Sequence, residues 1–147
     1  MLKGISPVLG PELLALLCRM GHGDELVLGD AHFPAETFAR RHWVRADGLT
    51  VPQLLEGLLP LFELDRYDPA PVLTMEAVPG DTLDARIEGR YRELLDRHGF
   101  GWARLTRLER FAFYERAQRA FVIVQTGDTA TYANLILKKG VIPLPAS

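Results

Sequence analysis

The chain has one cysteine, Cys18, in 147 residues. An internal disulfide is impossible and a cysteine-rich zinc site is excluded. Cys18 lies in an apolar stretch, so a buried, inert thiol is expected. Charge of one sign is not in excess either: 17 basic and 19 acidic residues leave a net of −2. With no basic surplus to neutralise phosphates, nucleic acid is not an expected partner. Long hydrophobic runs are missing. Stretches such as Ala120 to Val124 fall far short of the roughly 18 apolar residues that span a membrane. The N-terminal segment has a superficial likeness to a signal peptide, but Pro7, Pro11 and Glu12 interrupt it and no A-x-A site follows Cys18. It reads as a helix of the fold, which implies a cytoplasmic protein. Gly127 is a lone glycine, and neither G-x-G-x-x-G nor a P-loop occurs, so nucleotide chemistry is disfavoured. Repeats, low-complexity stretches and linkers are also missing.

What is present is enough for a core. At 48% hydrophobic residues, a chain of this size buries about two-thirds of its unfolded surface, and 1–147 reads as a single domain. Pro11 suits a first helical position and Gly21 a position just past the end, with Leu13, Leu14, Leu17, Cys18 and Met20 as the apolar face. Glu25 to Gly29 reads as a strand. Its continuous Leu26, Val27 and Leu28 suit a sheet covered on both faces. Thr50 caps a second helix with Leu54, Leu55, Leu58 and Leu59 as its buried stripe. Val72 to Val78 is a strand. Asp81 or Thr82 opens a third helix bearing Ile87, Tyr91, Leu94 and Leu95, which Gly99 ends. Arg104 to Leu108 is a candidate strand and Phe111 to Arg119 a helix. Phe121 to Gln125 is a buried strand, Thr126-Gly127-Asp128 a turn, and Asn134 to Leu137 the last strand. Over Ala35 to Asp47 and Asp96 to Glu109, loops and elements are not separable. The alternation predicts an α/β fold, a single three-layer α/β/α domain with a largely parallel or mixed central sheet.

Three polar clusters could carry chemistry. The first is G-H-G-D-E-L-V-L-G-D-A-H-F-P, Gly21 to Pro34. In open α/β sheets ligands gather at the carboxyl ends of strands, which favours Asp30 over His22 at the opposite end of the same strand. Within one subunit the two are far apart unless the loop folds back or a neighbouring subunit joins them. His22 suits a general acid or base. His22, Asp24, Asp30 and His32 also form a possible divalent-metal set, although the spacing matches no specific zinc motif. The plainer reading has these groups satisfying backbone at element ends.

The second cluster is R-F-A-F-Y-E-R-A-Q-R-A-F, Arg110 to Phe121. As a helix it puts Phe113, Ala117 and Phe121 on one face, which core packing explains, and Arg110 and Tyr114 on another. A guanidinium and a phenol both hydrogen-bond a polyol, and the phenol can relay a proton. The third, Thr126 to Gly140, places Tyr132 and Asn134 at the start of the last strand. An Asn amide donates and accepts, as a sugar hydroxyl requires. Turn chemistry is the plainer account of its Thr, Gly and Asp.

Taken together, M-G-H-G-D-E, D-A-H-F-P, R-A-D-G-L, L-F-E-L-D, G-D-T-L-D, R-F-A-F-Y-E-R-A-Q and Y-A-N-L-I-L-K-K-G-V resemble the family of bacterial sugar mutarotases that includes L-fucose mutarotase and D-ribose pyranase. The likeness runs nearly end to end and is weakest over Arg40–Val44 and Arg97–Leu108. The intact R-F-A-F-Y-E-R-A piece sides with the fucose branch. The resemblance implies an isomerase that interconverts the anomers of a free reducing sugar, with no cofactor and no metal. It implies His22 and Tyr114 as catalytic residues and Asp30, Arg110, Tyr132 and Asn134 as sugar contacts. It also implies a ring-shaped homo-oligomer, typically a decamer, with sites near subunit interfaces. Two rivals remain at this stage. A non-catalytic monosaccharide-binding or sensing protein would use Asp30, Arg110 and Asn134, and a metal-dependent hydrolase would use the His22, Asp24, Asp30 and His32 set.

Overall fold

Three consecutive apolar residues cannot alternate with polar ones, so both faces of their strand need cover. In the computed structural model, which describes residues 1–146, β1 (Glu25–Gly29) is such a strand, and Leu26, Val27 and Leu28 are fully buried. It lies inside one six-stranded sheet with β2 (His42–Ala46), β3 (Val72–Met75), β4 (Leu105–Leu108), β5 (Val122–Thr126) and β6 (Leu135–Lys138). The order is β2-β5-β1-β6-β3-β4. Pairing is parallel at β2–β5, β5–β1 and β3–β4, while β6 runs antiparallel to both β1 and β3. The sheet is therefore mixed.

Helices cover both faces, giving three layers. On one side α1 (Pro11–Arg19), α3 (Val51–Leu58) and α4 (Ala85–Arg97) pack Leu13, Leu16, Leu54, Leu58, Tyr91 and Leu95 against Leu26, Leu28, Val122, Val124, Leu135 and Leu137. On the other, α2 (Ala35–Phe38) and α5 (Arg110–Gln118) bring Ala35, Phe113 and Ala117 onto Val27, Leu73, Ile123 and Ile136. Successive strand residues enter opposite layers, as the two-residue side-chain period requires. Thr50 caps α3 in a reciprocal capping box with Gln53. Among the described residues, no helix is long and apolar enough to cross a membrane.

Several boundaries differ from the sequence reading. Cys18 is exposed, because α1 turns Leu13 and Leu16 into the core and leaves Cys18 on its outer side. Phe121 does not share a helix face with Phe113 and Ala117. Its chain has left α5, and its ring joins the opposite core layer. The third helix starts later than Asp81 or Thr82, with Asp84 capping it through the Arg86 amide. Thr126 belongs to β5, paired with Ala46, and not to the following turn. The unassigned stretch from Ala35 to Asp47 supplies α2 and β2.

Candidate active site

β1 and β3 point their carboxyl ends the same way, and antiparallel β6 begins at that edge, with Leu28 and Thr74 both opposite Leu135. The next residue groups in sequence, Asp30 after β1 and Asn134 before β6, therefore meet. The Asp30 backbone N–H donates to Asn134 Oδ1 at 2.9 Å. Asp30 Oδ1 accepts from the His32 amide at 2.9 Å, a local turn that fixes the carboxylate. Burial pushes the Asp30 carboxyl above its ordinary range. The amides of His32 and Phe33 pull it back in part, and Asp128 adds to the rise. Gln125 holds the same loop through the carbonyls of Ala31 and Phe33.

Glu109 caps α5 by accepting from the Phe111 and Ala112 amides, which sets Arg110 as the first helical residue. Arg110 Nε is buried without a hydrogen-bond partner. Such an unpaired donor costs about 1–3 kcal/mol, and a ligand oxygen would relieve that cost. One turn on, Tyr114 sits edge-on or tilted against Phe33, Phe38 and Phe111.

Tyr132 has a φ of 61°, a conformation that bulky residues rarely adopt. Its hydroxyl donates to Asp81 Oδ2 at 2.7 Å and accepts from the Val78 amide at 3.4 Å. The ionised Asp81 beside it pushes the phenol upward, and the phenol in turn holds the Asp81 carboxyl below its usual range. Behind this loop, the buried Tyr91 hydroxyl donates to the Ala133 carbonyl at 2.6 Å.

Asp30, Arg110, Tyr114, Tyr132 and Asn134 thus line one cleft of about 190 Å³, together with His32, Met75 and Asp81. That volume lies below the roughly 300–1,000 Å³ of sites for drug-sized ligands and suits a small polar molecule. A roomier cavity of about 440 Å³ between the Pro7–Leu13 segment and Val44–Leu49 holds none of the expected site residues.

His22 is elsewhere. It precedes β1, whose five residues span about 16 Å at a strand's rise per residue. Its Nε2 contacts Asp65 Oδ1 at 3.1 Å. His22 and Asp24 are consequently separated from Asp30 and His32, and the metal-ligand set does not assemble within the chain. Among the described residues, no group of three or more His, Cys, Asp or Glu is placed to hold a metal ion. Sequence reasoning did not find two polar residues at these places. The sequence marks Asp81 only as a helix opener and gives Asp65 no role of its own, although both stand in motifs that carry the family resemblance.

Residues 3–142 match the model of the RbsD / FucU transport protein family. An L-fucose mutarotase of Actinobacillus pleuropneumoniae serotype 5b is 53% identical over 144 residues, covering 98% of this chain and 99% of that protein. The crystal structure of a fucose mutarotase in complex with L-fucose from Streptococcus pneumoniae superposes with a TM-score of 0.92 at 44% identity, over 97% of this chain and 100% of that one. Bacillus subtilis RbsD complexed with D-ribose shares the fold, with a TM-score of 0.75 at 19% identity over 97% and 100% of the two chains.

Proposed function

The chain belongs to the RbsD / FucU transport protein family, and we propose that it interconverts the α and β anomers of L-fucose by acid/base-assisted ring opening and closure. The supporting observation in the structure is the small cleft lined jointly by Arg110, Asn134 and the buried Asp30, a set of donors and acceptors that suits one small polar ligand. The 53% identity to an L-fucose mutarotase over nearly the whole chain supports L-fucose as the sugar.

The reaction needs two proton transfers and the breaking and re-forming of one C–O bond, with no change of oxidation state. One group takes the proton of the anomeric hydroxyl while another protonates the ring oxygen, and the C1–O5 bond breaks to give the open aldehyde. The aldehyde end rotates and the O5 hydroxyl adds to its other face. An acid and a base on opposite sides of the sugar are sufficient, each worth typically 10²–10⁴-fold. In this reading His22 serves one oxygen and Tyr114, or a water on its hydroxyl, the other. Asp30 accepts from sugar hydroxyls, Arg110 donates to them, and Tyr132 and Asn134 complete the contacts. No redox cofactor or metal is required.

Because β1 separates His22 from the cleft, a neighbouring copy must bring its own His22 to the sugar. The working unit is then a homo-oligomer built from copies of one domain spanning 1–147, and the family resemblance implies that it is a ring, typically a decamer. Exposed apolar side chains at Tyr67, Val141, Ile142 and Leu144 offer surface for such contacts. The exposed, unpaired Cys18 suits the reducing cytoplasm.

Saturation-transfer NMR on L-fucose tests the reading. The parent protein should accelerate anomer exchange, and His22→Ala should lose most of it while staying folded. Binding of L-fucose without faster exchange would leave a sugar-binding or sensing protein instead.

A further inference from the structure

Asp65 is a carboxylate buried to 3% exposure, and none of the roles above uses it. Its position is tightly set. Its own amide donates to the Lys138 carbonyl at 3.0 Å, and the Gly140 amide donates to the Glu63 carbonyl at 2.7 Å. Leu64 and Lys139 form an antiparallel bridge on its flank. A Cβ on Gly140 would collide with the Leu64 carbonyl, so the two strands approach as closely as backbone allows. Lys138 Nζ stands 3.9 Å from Oδ2.

Onto this fixed carboxylate two donors converge. The Tyr67 amide donates to Oδ1 at 3.0 Å, and His22 Nε2 lies 3.1 Å from the same atom. A carboxylate only accepts, so Nε2 must carry the hydrogen. A neutral imidazole with its proton on Nε2 has its lone pair on Nδ1. The His22 side chain is 47% exposed, against 5% for Asp65, so the ring is tethered from the protein side and open on the other.

We propose that Asp65 is a positioning residue that holds His22 in the Nε2–H tautomer and makes Nδ1 the atom that exchanges a proton with the sugar. The inference rests on the reading of His22 as a proton-exchanging group. A turn former that only holds the Tyr67 amide would leave ring tautomer and turnover number untouched.

The experiment combines imidazole ¹⁵N spectra with anomer-exchange kinetics on L-fucose. The parent should show a single Nε2–H tautomer for His22. Asp65→Ala should give a mixture of tautomers and lower kcat about tenfold or more, part of the roughly 10²–10⁴-fold that one acid/base group supplies, while KM stays within about twofold. Asp65→Asn keeps an oxygen acceptor at the same place. It should retain the Nε2–H ring and recover part of the lost kcat. An Nδ1–H ring in the parent overturns the proposal without any variant. Parental kcat and an unchanged tautomer in Asp65→Ala, with His22→Ala inactive, overturn it while sparing His22. Parental exchange in His22→Ala removes the reading on which it rests.

Discussion

The backbone N–H of Asp30 and the side-chain carbonyl of Asn134 meet at 2.9 Å across 104 residues of sequence, tying the end of β1 to the start of β6. Both residues are buried, so the bond has no water to replace it. Asn134→Ala removes the acceptor and strands the Asp30 amide. The expected loss is about 1–3 kcal/mol, read as a lower urea midpoint at unchanged slope. Anomer exchange should weaken with it, since the Asp30 loop loses its anchor. An unshifted midpoint would mean that the contact does not support the cleft.

Asp30→Asn should separate stability from activity. Burial raises the carboxyl above its ordinary value of 3.8. The unfolded chain therefore gives up this proton more readily than the folded one. The group's contribution to stability is complete below the ordinary value and is lost as pH rises through the folded value. An Asn stays neutral and its carbonyl still accepts the His32 amide. At pH 7 the variant should be at least as stable as the parent, with the advantage fading as pH falls from the raised folded value and gone below the ordinary carboxylate value of 3.8. KM for L-fucose should rise about ten- to hundredfold, because a hydrogen bond to a charged group contributes roughly 1.5–3 kcal/mol. A urea midpoint series from pH 3 to 8 beside exchange kinetics checks both halves.

The sequence made the interior strands easy to read and the edges hard. Leu26–Leu28 and Val122–Val124 are continuous apolar runs because both of their faces are covered. In edge strand β2, only Val44 is buried, so H-W-V-R-A shows neither alternation nor a run. The four-residue α2 is too short for a helical period to register. The apolar neighbours of Cys18 suggest burial, but Leu14, Leu17 and Cys18 sit beside the core stripe of α1, which is Leu13 and Leu16. The five cleft residues were individually ambiguous, each with a turn or packing explanation, until the joint resemblance selected them. Asp65 and Asp81 stayed hidden for a different reason. Each is an aspartate in a loop, and its partner is 43 or 51 residues away, a pairing that only the folded chain creates.

Tyr114→Phe tests proton relay against packing. The ring lies 4.7 Å from Phe38 and 5.9 Å from Phe33, centroid to centroid, and phenylalanine preserves those contacts. The melting temperature should therefore stay within about a degree or two, since surface-accessible, volume-conserving changes cost little. If the hydroxyl moves a proton, kcat should fall by up to about 10²–10⁴-fold with KM little changed. Parental kcat would transfer that role to another group or to water.

Gly127 is held by contact rather than by torsion. Its amide donates to the Leu49 carbonyl at 2.9 Å, and a Cβ there would drive into the Asp47 carbonyl oxygen. The turn it belongs to clamps the site from behind. Thr126 Oγ1 donates to the Gly29 carbonyl at 2.8 Å, and Asp128 accepts from the Val51 and Ala130 amides and, through its own carbonyl, from Ala31. Gly127→Ala must push one backbone segment away, at a cost of about 1–3 kcal/mol. The displacement passes to Ala31, and so to Asp30, which predicts a rise in KM for L-fucose as well as a lower melting temperature. Gly48→Ala is the control, because nothing lies within 4 Å of a Cβ at that position, and it should change stability by no more than about 0.5 kcal/mol. Equal behaviour of the two variants would show that the close approach to Asp47 does not constrain the turn.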